Sequence, residues 1–316
     1  MLKQLLPVGF YDLLFDEAEK NHKNINNAID AFLAANYRLI KLPLVEFEES
    51  FNHNQKSGNY FQAIDVISGK NMIFRNDITP QLSRLLGGRL REENLPLKLC
   101  YVGDVLCAKN DDLYKDRQQT QVGVEIIGCD DEKSNFEIVQ ILLQVLEKIS
   151  DKKQQEKLLI EFSLPNFLAA FLDELHLQNK EELSAAIVKK NISAIDKILE
   201  TKKSSLIKKI MLNNHNLLEL TAEILAEVKS EKIAIEIKRA QKIADFLSKN
   251  FPKIKVCFDL FGDDKNSYHQ DIAFDVFYDD LSYAIARGGR YKINGKNGEL
   301  NAVGATIYMN LLRKVA

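Results

Sequence analysis

The chain has 316 residues, 46% of them hydrophobic and 28% charged, with 43 Lys+Arg against 45 Asp+Glu. That length suits one large or two modest domains, and the apolar share is enough to bury a core. A formal net charge of -2 speaks against a chain whose main task is to neutralise nucleic-acid phosphates, and no apolar window is long enough to span a bilayer.

In chain order, Asp16 to Asn36 places Ala18, Ile25, Ala28, Ile29, Phe32 and Leu33 on one helical face. Tyr37 to Glu46 reads as extended, with Pro43 tolerated at an edge or interface. Phe61 to Ile67 and Asn71 to Arg75 flank Ser68-Gly69-Lys70, a hairpin pattern. Thr79 followed by Pro80 predicts a helix start, with Thr79 as the cap, and the helix is expected to reach about Arg91. Leu97 to Cys107 and Thr120 to Gly128 read as strands, Ser134 to Ile149 as an apolar helix, and Leu158 to Phe162 as a short strand. Helices follow from Pro165 to Asn250. Lys255 to Leu260, Gln270 to Tyr278 and Ser282 to Arg287 return to strand, the last two joined at Asp279-Asp280, and residues 302–316 close with a strand or helix.

The 14 glycines all fall at or before Gly128 or at or after Gly262. Strands joined by short turns predict an α+β fold on a mostly antiparallel sheet flanked by helices. Residues 1–164 and 251–316 are expected to form this core, and 165–250 a helical insertion. Positive and negative charges nearly balance between 151 and 250, whereas a surface for tRNA would show a basic excess. The start, Met1 to Pro7, lacks the apolar run of a secretory signal, so a cytoplasmic chain with no membrane and no nucleic-acid partner is expected. Cys100, Cys107, Cys129 and Cys257 form no CxxC pair, and no phosphate-loop, dinucleotide-loop, HExxH or GxSxG pattern occurs. No cofactor and no metal site are expected.

Four segments carry candidate chemistry. In Phe74-Arg75-Asn76-Asp77-Ile78-Thr79-Pro80, a carboxylate at a strand end before a helix suits capture of an ammonium group, or Asp77 and Thr79 only cap the helix. The second segment is Leu99 to Cys107. In the third, Gln121, Gly123 and Glu125 share one strand face, which reads either as a pocket wall or as a solvent-facing strand. The fourth runs from Tyr268-His269 to Gly288-Gly289-Arg290-Tyr291, where glycine admits close approach and Arg290 offers a guanidinium to a carboxylate, a phosphate or a core acid.

In order and spacing, these segments resemble the catalytic core of histidyl-tRNA synthetase, a class II synthetase fold. Pro43 and Glu46 match that family's first motif, at its dimer interface. FRNDIT stands where the synthetases carry an LRPEGT-like run, QVGVE matches their QFGVE-like strand, and GGRY their glycine-rich strand. The resemblance implies a histidine pocket of Asp77, Thr79, Gln121 and Glu125, with Tyr268 and His269 where a Tyr-Tyr pair flanks the imidazole. Arg75, Gly123, Gly289 and Arg290 would support it. Two arginines of the family are replaced, by Cys107 at a strand end and by Asp264 before Tyr268, which removes the cations that stabilise phosphate chemistry. Lys292 breaks the family's GGRYD pattern. The sequence ends at Ala316, shortly after Gly304, and no counterpart of the anticodon-binding domain is expected. NDITPQLSRL, LCYVGDVL and QVGVEIIG look closer still to a paralogous family, the regulatory subunits of ATP phosphoribosyltransferase. That likeness implies no catalytic residues, a short-form catalytic subunit as partner, a class II-like homodimer within a hetero-oligomer, and histidine as feedback effector.

Overall fold

A computed structural model describes residues 6–50, 59–109, 116–175, 179–199, 201–212, 221, 224–227, 230–262, 269–296 and 298–312. Contacts divide the chain into two compact units, Met1–Asp151 with Ile293–Ala316, and Lys152–Lys292. The first unit carries α1 (Phe15–Ala34), β1 (Arg38–Ile40), β2 (Val45–Phe47), β3 (Gln62–Ile64), β4 (Asn71–Phe74), α2 (Thr79–Gly87), β5 (Leu97–Leu106), β6 (Gln118–Ile127) and α3 (Glu132–Ile149). The second carries α4 (Lys152–Gln155), β7 (Leu158–Ser163), α5 (Pro165–Glu174), α6 (Lys180–Val188), α7 (Ile192–Ile198), α8 (Thr201–Leu212), α9 (Glu231–Asn250), β8 (Lys255–Asp259) and β9 (His269–Tyr278). Strand β10 (Ala286–Gly295) runs past the boundary, and β11 (Gly298–Tyr308) with α10 (Met309–Leu312) returns to the first unit. The unit boundaries fall outside the edges of the helical run, so β7, β8 and β9 group with α5 to α9.

In the first unit, β1 pairs parallel with β5, β5 antiparallel with β6, and β6 antiparallel with β11. Register sorts the side chains into two faces. Cys100, Val122, Val124, Ile126, Val303, Ala305 and Ile307 are buried on the face that packs α1 and α3, which bring Ala28, Phe32, Ile138, Leu142 and Val145. Burying each large aliphatic there stabilises by roughly 1.5–3 kcal/mol. The opposite face carries Tyr101, Gly103, Gln121, Gly123, Glu125, Gly304 and Thr306. Helix α1 stops where Asn36 takes a left-handed φ of 64°, which Asn tolerates, and the N–H groups of Asn36 and Tyr37 return to Leu33 and Phe32.

The extended run after α1 is two strands, not one. It breaks around Pro43, so that β1 joins β5 while β2 joins β4 and β3 in a separate three-stranded sheet. The β3–β4 turn is tied by Asp65, which accepts from Ile67 N–H, Ser68 N–H and Ser68 Oγ, with Gly69 at φ 70°. Helix α2 ends at Gly87, short of Arg91. Gly87-Gly88 is a poor helix pair, and Gly88 N–H turns back to Leu85. Past the end of β11, the Asn310 side chain continues the ladder. Its Oδ1 accepts Thr120 N–H at 2.8 Å, and its Nδ2 donates to the Gln118 carbonyl at 3.1 Å.

In the second unit, β9 lies antiparallel to β7 and β10, and β7 parallel to β8. Phe162 stacks on Phe258 at 5.6 Å and meets Phe274 at 5.7 Å. Phe261 packs against Phe167 and Phe171 of α5. Such aromatic pairs add about 0.5–1.5 kcal/mol beyond their burial. The strand expected at Ser282 begins at Ala286 instead. Residues 279–285 turn, with Leu281 N–H bonded to Tyr278 and Ile285 N–H to Val276. Apart from the two parallel pairs, β1–β5 and β7–β8, these strand pairings are antiparallel, and the architecture is α+β. No described helix is long and apolar enough to cross a membrane.

Candidate functional site

Asp77 sits between β4, held on both sides by β2 and β3, and α2, which Pro80 starts with its preset φ. Its Oδ1 accepts Ile78 N–H at 2.9 Å, Thr79 N–H also faces the carboxylate, and the Gln121 amide donates to it. Gln121 Oε1 accepts from the same Ile78 N–H at 3.2 Å. Burial raises the Asp77 carboxyl above the ordinary carboxylate range, while Gln121, the two backbone N–H groups and Arg75 act in the opposite sense.

Thr79 is not the helix cap. Ile78 holds that position without a side-chain capping bond, and Asp77 serves the free N–H groups. The Thr79 hydroxyl instead donates to Glu125 Oε1 at 3.2 Å. Tyr101 Oη reaches the same oxygen at 3.3 Å and lies 2.9 Å from Thr306 Oγ1. Burial, then the nearby Glu125 and Asp77, push the Tyr101 phenol well up, so it remains a protonated donor. Gln121 and Glu125 are 3% and 2% exposed, so β6 is not a solvent-facing strand. The structure therefore brings Asp77, Thr79, Gln121 and Glu125 into one polar set, in which Thr79, Gln121 and Glu125 are buried and Asp77 is half-buried. Four side chains able to accept, two of them acids, suit a small ligand rich in N–H donors.

Arg75 does not face that set as a free cation. Its Nε donates to the Asp104 carbonyl at 2.7 Å, and its Nη1 to the Leu42 carbonyl at 3.1 Å and to Gln81 Oε1 at 3.1 Å. It lies over Gly103, where a Cβ would stand 2.0 Å from its Nη2. Arg75 thus holds the strand ends that present Asp77. Pro43 accepts from the Gln81 amide at 2.9 Å, and buried Glu46 pairs with Arg84 at 2.6 Å, beside a surface hollow of about 350 Å³. Cys107 follows β5, and burial, with Asp77 adding, raises its thiol, so the group is uncharged near neutral pH. Arg117 donates Nε to the Cys107 carbonyl at 3.3 Å and packs over the rings of Phe61 and Phe10 at 4.6 and 5.5 Å.

In the second unit, His269 opens β9 half-buried and pairs in register with Tyr291. Gly289 lies against it. A Cβ there would be 2.4 Å from His269 Cδ2 and 2.5 Å from the Ile272 carbonyl, so the close approach requires glycine. Arg290 is buried in β10. Tyr268 and Asp264 lie outside the described residues. Tyr101 and Thr306 were not among the candidates read from sequence. The available signal was alternation: Tyr101 with Gly103, and Gly304 with Thr306, repeat the polar–glycine pattern of Gln121, Gly123 and Glu125.

The family model for histidyl-tRNA synthetase matches residues 9–312. The chain is 30% identical over 297 residues to an ATP phosphoribosyltransferase regulatory subunit of Stutzerimonas stutzeri, covering 91% of this chain and 74% of that one. Among solved structures it is similar to an ATP phosphoribosyltransferase regulatory subunit/histidyl-tRNA synthetase from Bacillus halodurans, with a TM-score of 0.83 at 20% identity over 99% of this chain and 83% of that one. It is also similar to the ATP phosphoribosyl transferase (HisG:HisZ) complex from Thermotoga maritima, with a TM-score of 0.70 at 18% identity over 92% of this chain and 97% of that one. At those identities the structures speak for the fold, which is that of the class II histidyl-tRNA synthetases. On the matched length and on the identity to its relative, the chain belongs to the histidyl-tRNA synthetase family and, within it, to the ATP phosphoribosyltransferase regulatory subunits.

Proposed function

We propose that this chain is the non-catalytic regulatory subunit of ATP phosphoribosyltransferase, in the first step of histidine biosynthesis. It assembles as a class II-like dimer with the short catalytic subunit in the cytoplasm, supports that subunit's activity and transmits inhibition by histidine. The observation that carries this reading is the polar set of half-buried Asp77 with buried Thr79, Gln121 and Glu125, kept beside an uncharged Cys107. The carboxylates suit the ammonium and imidazole N–H groups of histidine. Tyr268 and His269 are assigned to the same ligand on their aligned positions. A thiol where the synthetases place an arginine offers no charge to a phosphate. A site that holds an amino acid without activating it is a sensor. If histidine favours one state of the assembly, it shifts the population toward that state, and the partner's ligands change histidine affinity reciprocally.

The test is reconstitution with a short catalytic subunit. Phosphoribosyl transfer to ATP should depend on this chain and fall on addition of histidine, and the chain alone should catalyse no histidine-dependent ATP–pyrophosphate exchange. Exchange by the pure chain would instead identify a synthetase. In the same assay, Glu125→Ala should weaken histidine inhibition by about tenfold or more, the loss of a charge-assisted hydrogen bond, while the complex still assembles on a sizing column. Wild-type inhibition by that variant would remove Glu125 from the ligand set.

A further inference from the structure

Three side chains of the first unit each lie over a glycine. Arg75 covers Gly103 on β5, Tyr101 of β5 covers Gly123 on β6, and Glu125 of β6 covers Gly304 on β11. The register makes the two lateral steps equivalent, since Tyr101 stands opposite Gly123 and Glu125 opposite Gly304. A Cβ on Gly123 would lie 2.2 Å from Tyr101 Cζ and 2.3 Å from its hydroxyl. A Cβ on Gly304 would lie 1.6 Å from Glu125 Oε2 and 2.3 Å from its Cδ. Neither side chain could keep its place beside an alanine. This placement also brings Tyr101 Oη to 3.3 Å from Glu125 Oε1 and 2.9 Å from Thr306 Oγ1. With Thr306 donating to Tyr101, and both Tyr101 and Thr79 donating to Glu125, one proton arrangement satisfies every member.

We propose that Tyr101, Thr306 and Gly304 are positioning residues for the effector: they fix the Glu125 carboxylate in one orientation, with Oε1 occupied by hydroxyl donors, so that it receives a cationic N–H donor of histidine. This rests on the histidine reading of the site. Gly304 makes room for the carboxylate, Tyr101 aims it, and Thr306 aims Tyr101. The ligand therefore meets an acid whose rotamer is already set, and less ordering remains for the binding step.

The experiment is titration of L-histidine into the full-length chain, alone and with the catalytic subunit, for wild type, Gly304→Ala, Tyr101→Phe, Thr306→Val and Thr306→Ser. Gly304→Ala and Tyr101→Phe should each weaken histidine by about tenfold or more, and Thr306→Val by about threefold or more. Thr306→Ser, which keeps the hydroxyl, should stay within about twofold of wild type, a rescue that a purely structural role does not predict. Should Gly304→Ala fail to fold, Tyr101→Phe removes a single oxygen and still decides the matter. Wild-type binding that survives Tyr101→Phe and Gly304→Ala within about twofold overturns the positioning role and leaves the histidine reading intact. Absence of histidine binding by wild type in both settings overturns that reading, and this one with it.

Discussion

Strands β6 and β9 are each 10 residues long and each flanked by strands on both sides, yet they are buried in different ways. In β9 burial alternates. Ile272, Phe274, Val276 and Tyr278 are inside, and the half-exposed positions between them take Asp271, Ala273, Asp275 and Phe277. The inward positions carry no charge and both acids face outward, as expected for a sheet with one apolar face. In β6 every residue from Gln121 to Ile127 is buried, and polarity no longer follows solvent. A glutamate and a glutamine persist inside because hydroxyls, an amide and backbone N–H groups surround them. A buried acid costs stability unless it is fully partnered. The set on β6 is what the proposed ligand recognition asks for, whereas the alternation of β9 from Asp271 to Tyr278 follows from folding.

The contrast can be broken most severely at β9. Phe274→Ala should lose about 3–5 kcal/mol, by transfer plus cavity, in urea unfolding. A loss under about 1 kcal/mol would mean that this aromatic cluster is not a load-carrying core. Next is Arg75→Lys. The ammonium cannot reproduce the fork that serves the Asp104 and Leu42 carbonyls and Gln81, and a cost of about 2–3 kcal/mol is expected. Unchanged unfolding would show that water replaces the fork.

Asp77 should leave its mark in the pH dependence. Its native carboxyl holds a proton more tightly than the unfolded one, so its contribution favours the fold in acid and declines as pH rises from the ordinary carboxylate range through the raised native value. Asp77→Asn should lack that decline and gain stability relative to wild type as pH rises above about 4, the ordinary carboxylate range. Parallel pH profiles for the two proteins would count against it. The smallest effect belongs to one of the acids of β9 that face water. Asp275→Ala removes a pair with Arg287 at 3.3 Å whose partners are 34% and 58% exposed, and should change stability by less than about 0.5 kcal/mol.

Much of this was legible in sequence where periodicity and local chemistry act alone. The two-faced reading of Gln121, Gly123 and Glu125 needs only a period of two, and α1 and α3 follow from their apolar faces. The misjudged boundaries have local causes as well: Gly87-Gly88 stops α2, and the turn after Tyr278 delays β10. The capping role assigned to Thr79 failed for a different reason. Its hydroxyl answers to Glu125, 46 positions away, and no short-range rule sees that bond. Tyr101 and Thr306 escaped likewise, because their partners are set by strand register across 24 and 205 positions. Bringing Asp77 to Gln121 required the family likeness, since residue types alone pointed first to capping.

The Asn310 side chain that continues the β6 ladder has a consequence for exchange kinetics. The rung at Thr120 is closed by an amide of α10 and not by another strand, so this N–H is protected only while that short helix is docked. Hydrogen exchange at Thr120 therefore reports the docking of the C-terminal turn separately from the opening of the sheet. The neighbouring rungs, closed by β5 and β11 themselves, report the sheet.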